Sequence, residues 1–228
     1  MLFTPGVNHT TVAAHAFLLL LALENNLLFH TDSTRTGGWK RQTGHELCGK
    51  TLGLVGLGRI GQEVAVRARA FGVNVVGFGH YWDEAFAQAH GIKRAATLAG
   101  LFKDADYLSQ HTNLTPATRG LINAENIAQM KRGVVIINCA RGELVDTSAL
   151  VTALKSGAIA GYGADVLDQE PPPADHPLLK LTNVVITPHI GSRTYESVVR
   201  QASCAVENLT LFLAGKKPHA QANLVERG

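Results

Sequence analysis

The sequence contains little cysteine and no concentration of charge of one sign. Its three cysteines, Cys48, Cys139 and Cys204, lie far apart and form no C-x-x-C pair. This spacing argues against a disulfide framework and a zinc site, so we expect no metal and a reducing, cytoplasmic location. The net charge is only +3 over 228 residues, and no run of Lys and Arg is interleaved with aromatics. We therefore expect no nucleic-acid partner.

The chain also lacks an apolar run long enough to span a bilayer. Residues 17–23 are very apolar but too few to cross one, and no Lys or Arg precedes them as in a signal peptide. We expect no membrane partner and interpret the run as a helix buried on most sides, in contact with its own core and with a second subunit. The more polar stretch Leu28 to Leu47 is predicted to be an extended arm that lies on another surface.

From Thr51 onward, apolar strand-like runs alternate with helical patterns. Strands are predicted at residues 51–55, 74–78, 107–110, 134–138, 160–166 and 184–187. Helices are predicted at residues 59–71, 83–90, 97–103, 124–130 and 146–156, and from Ser192 or Thr194 to Leu213. Strands that are apolar throughout indicate a parallel sheet covered on both faces. The predicted fold class is α/β, with a Rossmann-type doubly wound parallel sheet.

A glycine loop follows the first predicted strand and opens the next helix. In residues 56–61, Gly56 allows a tight turn, Gly58 lets the backbone approach phosphate, and Gly61 lets the helix pack on the strand. The helix N-terminus would then stabilise the bound anion. The strand before and the helix after are the context that makes this motif informative. The loop predicts a dinucleotide site.

The end of the second strand departs from the usual NAD pattern. An acidic residue commonly binds the adenosine ribose there, but this chain has Gly79, followed by His80. Asp83 lies further on and is predicted to cap the next helix. Without the acid a 2′-phosphate is rejected less strongly, and His80 or Arg59 could contact it. NAD and NADP both remain open, with NAD slightly favoured.

Three charged residues each follow an apolar run: Arg141, Glu170 and His189. In an open parallel sheet, ligands bind outside the carboxyl ends of the strands. A guanidinium can grip a carboxylate through two hydrogen bonds, an imidazole can transfer a proton, and a carboxylate can orient that imidazole. These are the groups that hydride transfer to a keto acid needs. The alternatives are a surface arginine in an ion pair, a loop histidine and a solvated loop acid.

The motifs around these residues resemble the D-isomer-specific 2-hydroxyacid dehydrogenases, the family that includes phosphoglycerate dehydrogenase, hydroxypyruvate/glyoxylate reductase and formate dehydrogenase. The resemblance covers nearly the whole chain. The matching segments are residues 4–8, 47–61, 114–122, 140–146, 165–171 and 187–191.

The resemblance implies a role for each site residue. Arg141 binds substrate, His189 is the acid/base, Glu170 is its partner, and Asp165 contacts the nicotinamide carboxamide. The full set of expected cofactor contacts is Gly56, Gly58, Arg59, Ile60, Gly61, His80, Thr112, Thr118, Cys139, Ala140, Arg141, Asp165, His189 and Gly191. The implied reaction is hydride transfer between NAD(P) and a small D-2-hydroxy or 2-keto acid.

The resemblance also implies a domain division and a homodimer. Residues 1–192 are expected to form the NAD(P)-binding domain, with residues 1–46 as a dimerisation helix and arm. Residues 193–228 are expected to be a C-terminal remnant of the flavodoxin-like substrate domain, whose N-terminal part would precede Met1. We therefore expect the chain alone to bind nucleotide and turn over poorly. The alternatives are a cofactor-sensing module like the C-terminal-binding-protein corepressors, which resemble the same family, or a truncated nucleotide-binding fragment.

Overall fold

The computed structural model of the chain describes residues 2–221. The strands are β1 Thr51–Val55, β2 Asn74–Phe78, β3 Lys93–Arg94, β4 Tyr107–Gln110, β5 Val134–Asn138, β6 Ile159–Ala164 and β7 Val184–Ile186. The helices are α1 His9–Glu24, α2 Leu27–Arg35, α3 Arg59–Ala70, α4 Glu84–Ala89, α5 Leu98–Asp104, α6 Ala124–Ile127, α7 Thr147–Ser156 and α8 Tyr195–Leu213. Two 3₁₀ turns lie at Gly142–Leu144 and Pro177–Lys180.

The strands form one parallel sheet in the order β3-β2-β1-β4-β5-β6-β7. The chain runs outward from β1 to β3, then crosses back to β4 and runs the other way, so the strand order reverses between β1 and β4. Apolar clusters line both faces: α1 and α3 cover one face, and α5, α6 and α7 cover the other. The expected doubly wound α/β fold is confirmed, and the reversal creates the crevice in which such folds bind ligands.

The apolar N-terminal run lies in α1, which packs along β5, β6 and β7 and against α3. Contact with the sheet is close because β6 carries glycine: a Cβ on Gly163 would lie 2.9 Å from the Cβ of Leu19 and 2.8 Å from Ile137 Cδ1. Leu18, on the outer side of the helix, is 51% exposed. The predicted burial holds for the sheet-facing residues; the predicted contact with a second subunit, which would have to cover Leu18, stays a prediction.

Several boundaries differ from those predicted. The segment after α1 is not an extended arm throughout, because α2 occupies Leu27–Arg35 before the chain becomes extended. The edge strand β3 was not predicted, and β6 ends at Ala164 rather than Val166. Glu170 therefore lies in the loop six positions beyond a strand and not directly after one.

Helix α8 follows the last strand and lies in residues 193–228, the segment that we expect to belong to another domain. Its N-cap is Thr194, whose side chain accepts a hydrogen bond from Ser197 N. Its buried Asn208 joins the two ends of the chain, because the amide donates to Phe3 O at 2.9 Å and accepts from His219 N at 2.8 Å. Most apolar residues of α8 are exposed, Leu213 by 75%. Residues 222–228 of the expected C-terminal segment lie outside the described residues.

A buried carboxylate ties the end of α1 to the sheet. Glu24 is 6% exposed and accepts a hydrogen bond from the Tyr107 hydroxyl at 3.0 Å. Burial raises the pKa of Glu24, although Tyr107, His45 and Lys50 each act to lower it. The folded state therefore binds this proton more tightly than the unfolded state. Stability contributed by the protonated form is lost as pH rises from the unfolded pKa through the raised folded value.

Glu24→Gln should consequently stabilise the protein near neutral pH. The neutral glutamine amide can still accept a hydrogen bond from the Tyr107 hydroxyl, and it places no charge in the core. We expect the gain in unfolding free energy to be largest at pH 8 and to shrink towards pH 4, as measured by urea unfolding. Glu46→Gln, which removes the same charge from an exposed position of the following segment, is the control. A gain that grows towards low pH, or an equal gain in the control, would contradict this expectation.

Candidate active site

The glycine loop lies where β1 meets α3, at the reversal of strand order. Gly56 has φ +101°, and a Cβ there would lie 2.7 Å from His111 O, so only glycine fits. A Cβ on Gly61 would collide with the carbonyl oxygen of Gly56, which shows how closely α3 approaches β1. By contrast, a Cβ on Gly58 would meet nothing within 4 Å. The loop is tight where helix meets strand and open at Gly58, where a phosphate would approach.

The first turn of α3 faces this open space. Gly58 is the N-cap of the helix and contributes no capping side chain, so the cap leaves the first N–H groups to another acceptor. Helix N-termini of this kind stabilise anions. Arg59 is exposed, and its guanidinium lies 3.7 Å from the position of a Cβ on Gly6. The residues present fit the pyrophosphate of a dinucleotide.

The end of β2 lies directly beside this loop. A Cβ on Gly79 would be 3.5 Å from Gly56 Cα and 3.7 Å from Leu57 N, which are ordinary contacts. A side chain at position 79 would thus fit beside the glycine turn. His80 is exposed, and Asp83 caps α4 by accepting a hydrogen bond from Phe86 N at 3.0 Å. The predicted capping role of Asp83 therefore agrees with the structure.

A cleft of about 430 Å³ opens at the carboxyl ends of β4 to β7. Seven of the predicted site residues line it, namely Ile60, Thr112, Cys139, Ala140, Arg141, Asp165 and His189. The cleft thus brings together the ends of strands that are distant in sequence. The other predicted residues lie outside its lining: Gly56, Gly58, Arg59, Gly61, His80, Thr118, Glu170 and Gly191. Thr118 lies in the turn after Asn113, to whose carbonyl its hydroxyl donates at 2.7 Å.

Arg141 is held at the cleft by the turn that follows β5. Asn138, fully buried at the end of this strand, accepts a hydrogen bond from Ala140 N at 3.0 Å and donates to Arg141 O at 2.9 Å. The guanidinium Nη1 donates to Ala140 O at 2.6 Å, and the side chain is otherwise exposed. A cation fixed by its backbone and open to the cleft can receive a substrate carboxylate.

His189 and Glu170 form a pair across two loops. His189 Nδ1 lies 2.7 Å from Glu170 Oε2, and Glu170 Oε1 accepts a hydrogen bond from Leu167 N at 2.9 Å. Burial acts to raise the pKa of Glu170, but the bonds to His189 and Leu167 outweigh it and lower the pKa. An ionised carboxylate only accepts, so Nδ1 of the imidazole carries the hydrogen. Nε2 is therefore the nitrogen available for proton exchange.

Asp165 is the most thoroughly bonded carboxylate in the cleft. Its oxygens accept from Thr187 Oγ1 at 2.6 Å, Ile190 N at 2.8 Å and Gly191 N at 2.7 Å, and His15 Nε2 lies at 3.3 Å. Burial acts to raise its pKa, but these bonds prevail and lower it. The implied contact with a nicotinamide carboxamide stays a prediction, since four internal partners already occupy the carboxylate.

Two further side chains that line the cleft, those of Cys139 and His111, are uncharged near pH 7. Burial and the nearby Asp165 raise the pKa of the Cys139 thiol, so it is not a thiolate nucleophile. Burial lowers the pKa of His111 to about 4, so its imidazole is neutral near pH 7. Within residues 2–221, no group of three His, Cys, Asp or Glu side chains is arranged to hold a metal ion.

Sequence reasoning did not single out several residues that build the cleft. Asn8 lies in the turn before α1, Val12 lies in α1, and Ser192 lies in the loop between β7 and α8; all three line the cleft. Asn8 lies in the family segment 4–8 but no role was predicted for it, and Val12 reaches the cleft only through the packing of α1 on the sheet. Asn138 did carry a signal: a polar residue that ends an apolar strand needs a hydrogen-bond partner when it is buried.

Comparisons with known proteins identify the family to which the sequence and fold are similar. The model of the family described as D-isomer specific 2-hydroxyacid dehydrogenase, NAD binding domain, matches residues 17–191. The chain is 41% identical to a D-3-phosphoglycerate dehydrogenase of Methanocaldococcus jannaschii over 96% of its length, and 41% identical to a glyoxylate reductase of Korarchaeum cryptofilum over 94%. It superposes on the TT0316 protein of Thermus thermophilus with a TM-score of 0.91 and 44% identity, covering 97% of this chain and 71% of that one.

The chain spans only part of the relatives it matches. It covers 42% of the length of the phosphoglycerate dehydrogenase and 66% of the glyoxylate reductase.

Among the described residues, no single helix is long and apolar enough to cross a membrane. Helices α1 and α2, bent by 66° at the break between them, meet the requirement only as a pair, by length and composition.

The contrast between Gly58 and Gly61 gives a matched pair of substitutions. Gly61→Ala should lower the unfolding free energy by about 1–3 kcal/mol, because its methyl group collides with the Gly56 carbonyl. Gly58→Ala should cost less than about 1 kcal/mol, because its methyl group has free space, but it should weaken NADH binding about tenfold by holding phosphate away from the loop. Urea unfolding and NADH fluorescence titration measure the two effects. Unchanged NADH affinity in Gly58→Ala would argue against a phosphate at this loop.

Proposed function

The chain belongs to the D-isomer-specific 2-hydroxyacid dehydrogenases, as their NAD-binding domain, and from this premise we propose that it serves in hydride transfer between NAD(P) and a small D-2-hydroxy or 2-keto acid. The observation that carries the proposal is the His189–Glu170 pair, which lies at the same sheet edge as Arg141 and the glycine turn. The substrates after which these two relatives are named, phosphoglycerate and glyoxylate, are both small acids of this kind.

We propose that residues 1–192 hold the dinucleotide, with its pyrophosphate at Gly58 and the first turn of α3. Residues 193–228 would belong to a second domain; the exposed apolar side chains of α8 in the described part support this division. The bound cofactor supplies the hydride. Thr112, Cys139 and Ala140, on the loops after β4 and β5, line the cleft in which the nicotinamide end would lie.

Each charged side chain has one task in the proposed reaction. Arg141 binds the substrate carboxylate and, through its fixed charge, orients the carbonyl. His189 delivers a proton from Nε2 to the carbonyl oxygen, and the reverse reaction returns it there. Glu170 accepts from Nδ1, which holds the ring in the orientation that leaves Nε2 facing the substrate. General acid catalysis of this kind contributes typically about 10²–10⁴-fold.

We further propose a homodimer formed through the helix and arm of residues 1–46. Leu18, Leu27 and Leu28 expose apolar surface along α1 and α2, and Trp39 is 77% exposed. Patches of this kind are commonly covered by a partner. A cytoplasmic location, with no nucleic-acid or membrane partner, fits the free cysteines Cys48, Cys139 and Cys204 and the small net charge.

A second candidate function is a cofactor-binding module with little turnover of its own. The observation that favours it is the exposure of the charged side chains to solvent: Arg141 is exposed, and the His189 side chain is 52% exposed. In such a module the same three side chains would be present, so their geometry alone does not separate it from an enzyme. Binding and turnover must therefore be measured on the same preparation.

The decisive experiment follows NADH oxidation with glyoxylate and hydroxypyruvate in the 228-residue chain. We expect slow but keto-acid-dependent oxidation. Arg141→Ala and His189→Gln should each lower it by about 10²-fold or more, while the Kd for NADH changes less than about threefold. Arg132→Ala is the control, because Arg132 bonds to Ser156 O at the opposite edge of the sheet. Activity that survives in Arg141→Ala would overturn the proposed chemistry, and NADH binding without any oxidation would favour the binding module.

Cofactor choice can be tested at the end of β2. Gly79→Asp should favour NADH over NADPH by about tenfold, because the new carboxylate fits beside Gly56 and repels a 2′-phosphate. Tyr81→Asp adds the same charge at a position that is 67% exposed and should have a smaller effect, since solvent screens it. Fluorescence titration with both nucleotides gives the ratio. Equal weakening of NADH and NADPH by Gly79→Asp would contradict a ribose site here.

A further inference from the structure

A chain of hydrogen bonds runs from α1 to the loop that carries His189. His15 Nε2 lies 2.7 Å from Thr187 Oγ1, and Thr187 Oγ1 lies 2.6 Å from Asp165 Oδ1. The side chains of His15 and Asp165 are 9% and 4% exposed. Residues 15 and 187 are far apart in sequence, so only the packing of α1 on the sheet brings them together. His15 is not needed to explain the proposed proton transfer itself.

The direction of these bonds follows from the groups present. The Asp165 carboxylate is ionised and can only accept, so the single hydroxyl proton of Thr187 points to it. Thr187 Oγ1 must then accept from His15, and Nε2 of His15 carries the hydrogen. That hydrogen also faces Asp165 Oδ1 at 3.3 Å. His15 is therefore a donor that fixes the orientation of the Thr187 hydroxyl.

The bonded residues flank His189 on both sides. Thr187 lies two positions before it, and Ile190 N and Gly191 N, which follow it, donate to the same Asp165 carboxylate. His189 has φ +55°, a left-handed conformation that a residue with a side chain adopts at a cost. Its N–H donates to Thr187 O at 2.9 Å. A strained turn of this kind persists only when its surroundings hold it in place.

We propose that His15 is a positioning residue: by donating to Thr187 it completes the bonds around Asp165 that hold the His189 turn, and so keeps the imidazole against Glu170. This inference rests on the proposed function only in taking His189 as the proton-transfer group. His15 has no contact with the reacting atoms and acts through Thr187 and Asp165.

Two substitutions separate hydrogen bonding from simple packing. His15→Gln can place its amide N–H near the position of Nε2, whereas His15→Asn is one methylene shorter and does not reach Thr187. Both replace a ring with a polar amide in the same place. His9→Asn is the control, because His9 lies on the same helix but faces Glu63, 4.0 Å away.

The readout is the downfield proton resonance of the His189 Nδ1–H···Glu170 bond in the ¹⁵N-histidine-labelled 228-residue chain, assigned by its loss in His189→Gln. We expect the resonance in wild type, His15→Gln and His9→Asn, and its loss in His15→Asn. NADH oxidation should follow the same order, with kcat about tenfold lower in His15→Asn and the KM for NADH unchanged.

Equal resonances in the Gln and Asn variants would overturn the inference, whatever the activity. Loss of the resonance in His15→Asn alone would support the inference, even in a preparation that reduces no keto acid. Failure of the inference and failure of the proposed function are therefore distinguishable. If His15→Asn does not fold, Thr187→Val and Thr187→Ser give the same comparison from the other side of the bond. The resonance should then persist in Thr187→Ser and disappear in Thr187→Val; persistence in both would refute the inference.

Discussion

The buried carboxylate of Asp165 is the interaction on which the geometry of the cleft depends. It lies at the end of β6 and accepts hydrogen bonds from the loop after β7 through Thr187, Ile190 and Gly191. An unpaired charge at this depth would be strongly destabilising, so the loop must close on it for the fold to form. Closing the loop brings His189 to Glu170. The same bonds therefore stabilise the fold and arrange the chemistry.

A parallel sheet makes this convergence possible. Every strand ends at the same edge, so the residues that follow β4, β5, β6 and β7 share one crevice with Ile60 of α3, although together they span more than a hundred positions of sequence. The reversal of strand order between β1 and β4 leaves a gap over the glycine turn. Close contacts at Gly56 and Gly61 seat α3 there, with the N-terminal end of the helix at the crevice. Anion binding and proton transfer are thus served by neighbouring strand ends.

The sequence predicted the parts whose causes are local. β1, β2, β4 and β5 have the predicted bounds. β1, β2 and β5 consist mainly of the apolar residues typical of buried parallel strands, whereas β4 also contains the buried polar residues Ser109 and Gln110. Asp146 and Gly157 bound α7 as their capping chemistry requires. The two-residue strand β3 carries Lys93 and Arg94, which have no apolar pattern. α2 was missed because its last six residues, 30–35, are polar and Gly37 and Gly38 follow closely, which favoured an extended arm.

The residues of the candidate site likewise divide into those that the sequence pattern predicted and those that it did not. Arg141, Glu170 and His189 were predicted because a charged residue after an apolar run is conspicuous, and the structure brings His189 to Glu170 and places it with Arg141 on one cleft. Asn138 was missed although its bonds to Ala140 and Arg141 are local and a polar residue that ends an apolar strand is a signal. His15 was missed because its effect depends on a tertiary contact: it reaches Thr187 from a helix at the start of the chain. A single sequence carries no signal for such long-range bonds. Family motifs therefore identified the charged groups and not their supports.

The buried hydrogen bonds to Asp165 fix the orientation of His189, because its exposed contact with Glu170 is too weak to do so. The side chains of His189 and Glu170 are 52% and 37% exposed, and ion pairs in contact with solvent contribute only about 0–1 kcal/mol. Such a pair would not by itself hold a histidine in a left-handed conformation. The bonds to Asp165 can, because they are buried and charge-assisted, and their loss would leave a charge unpaired. The reactive groups stay accessible while a buried carboxylate beside them fixes their place.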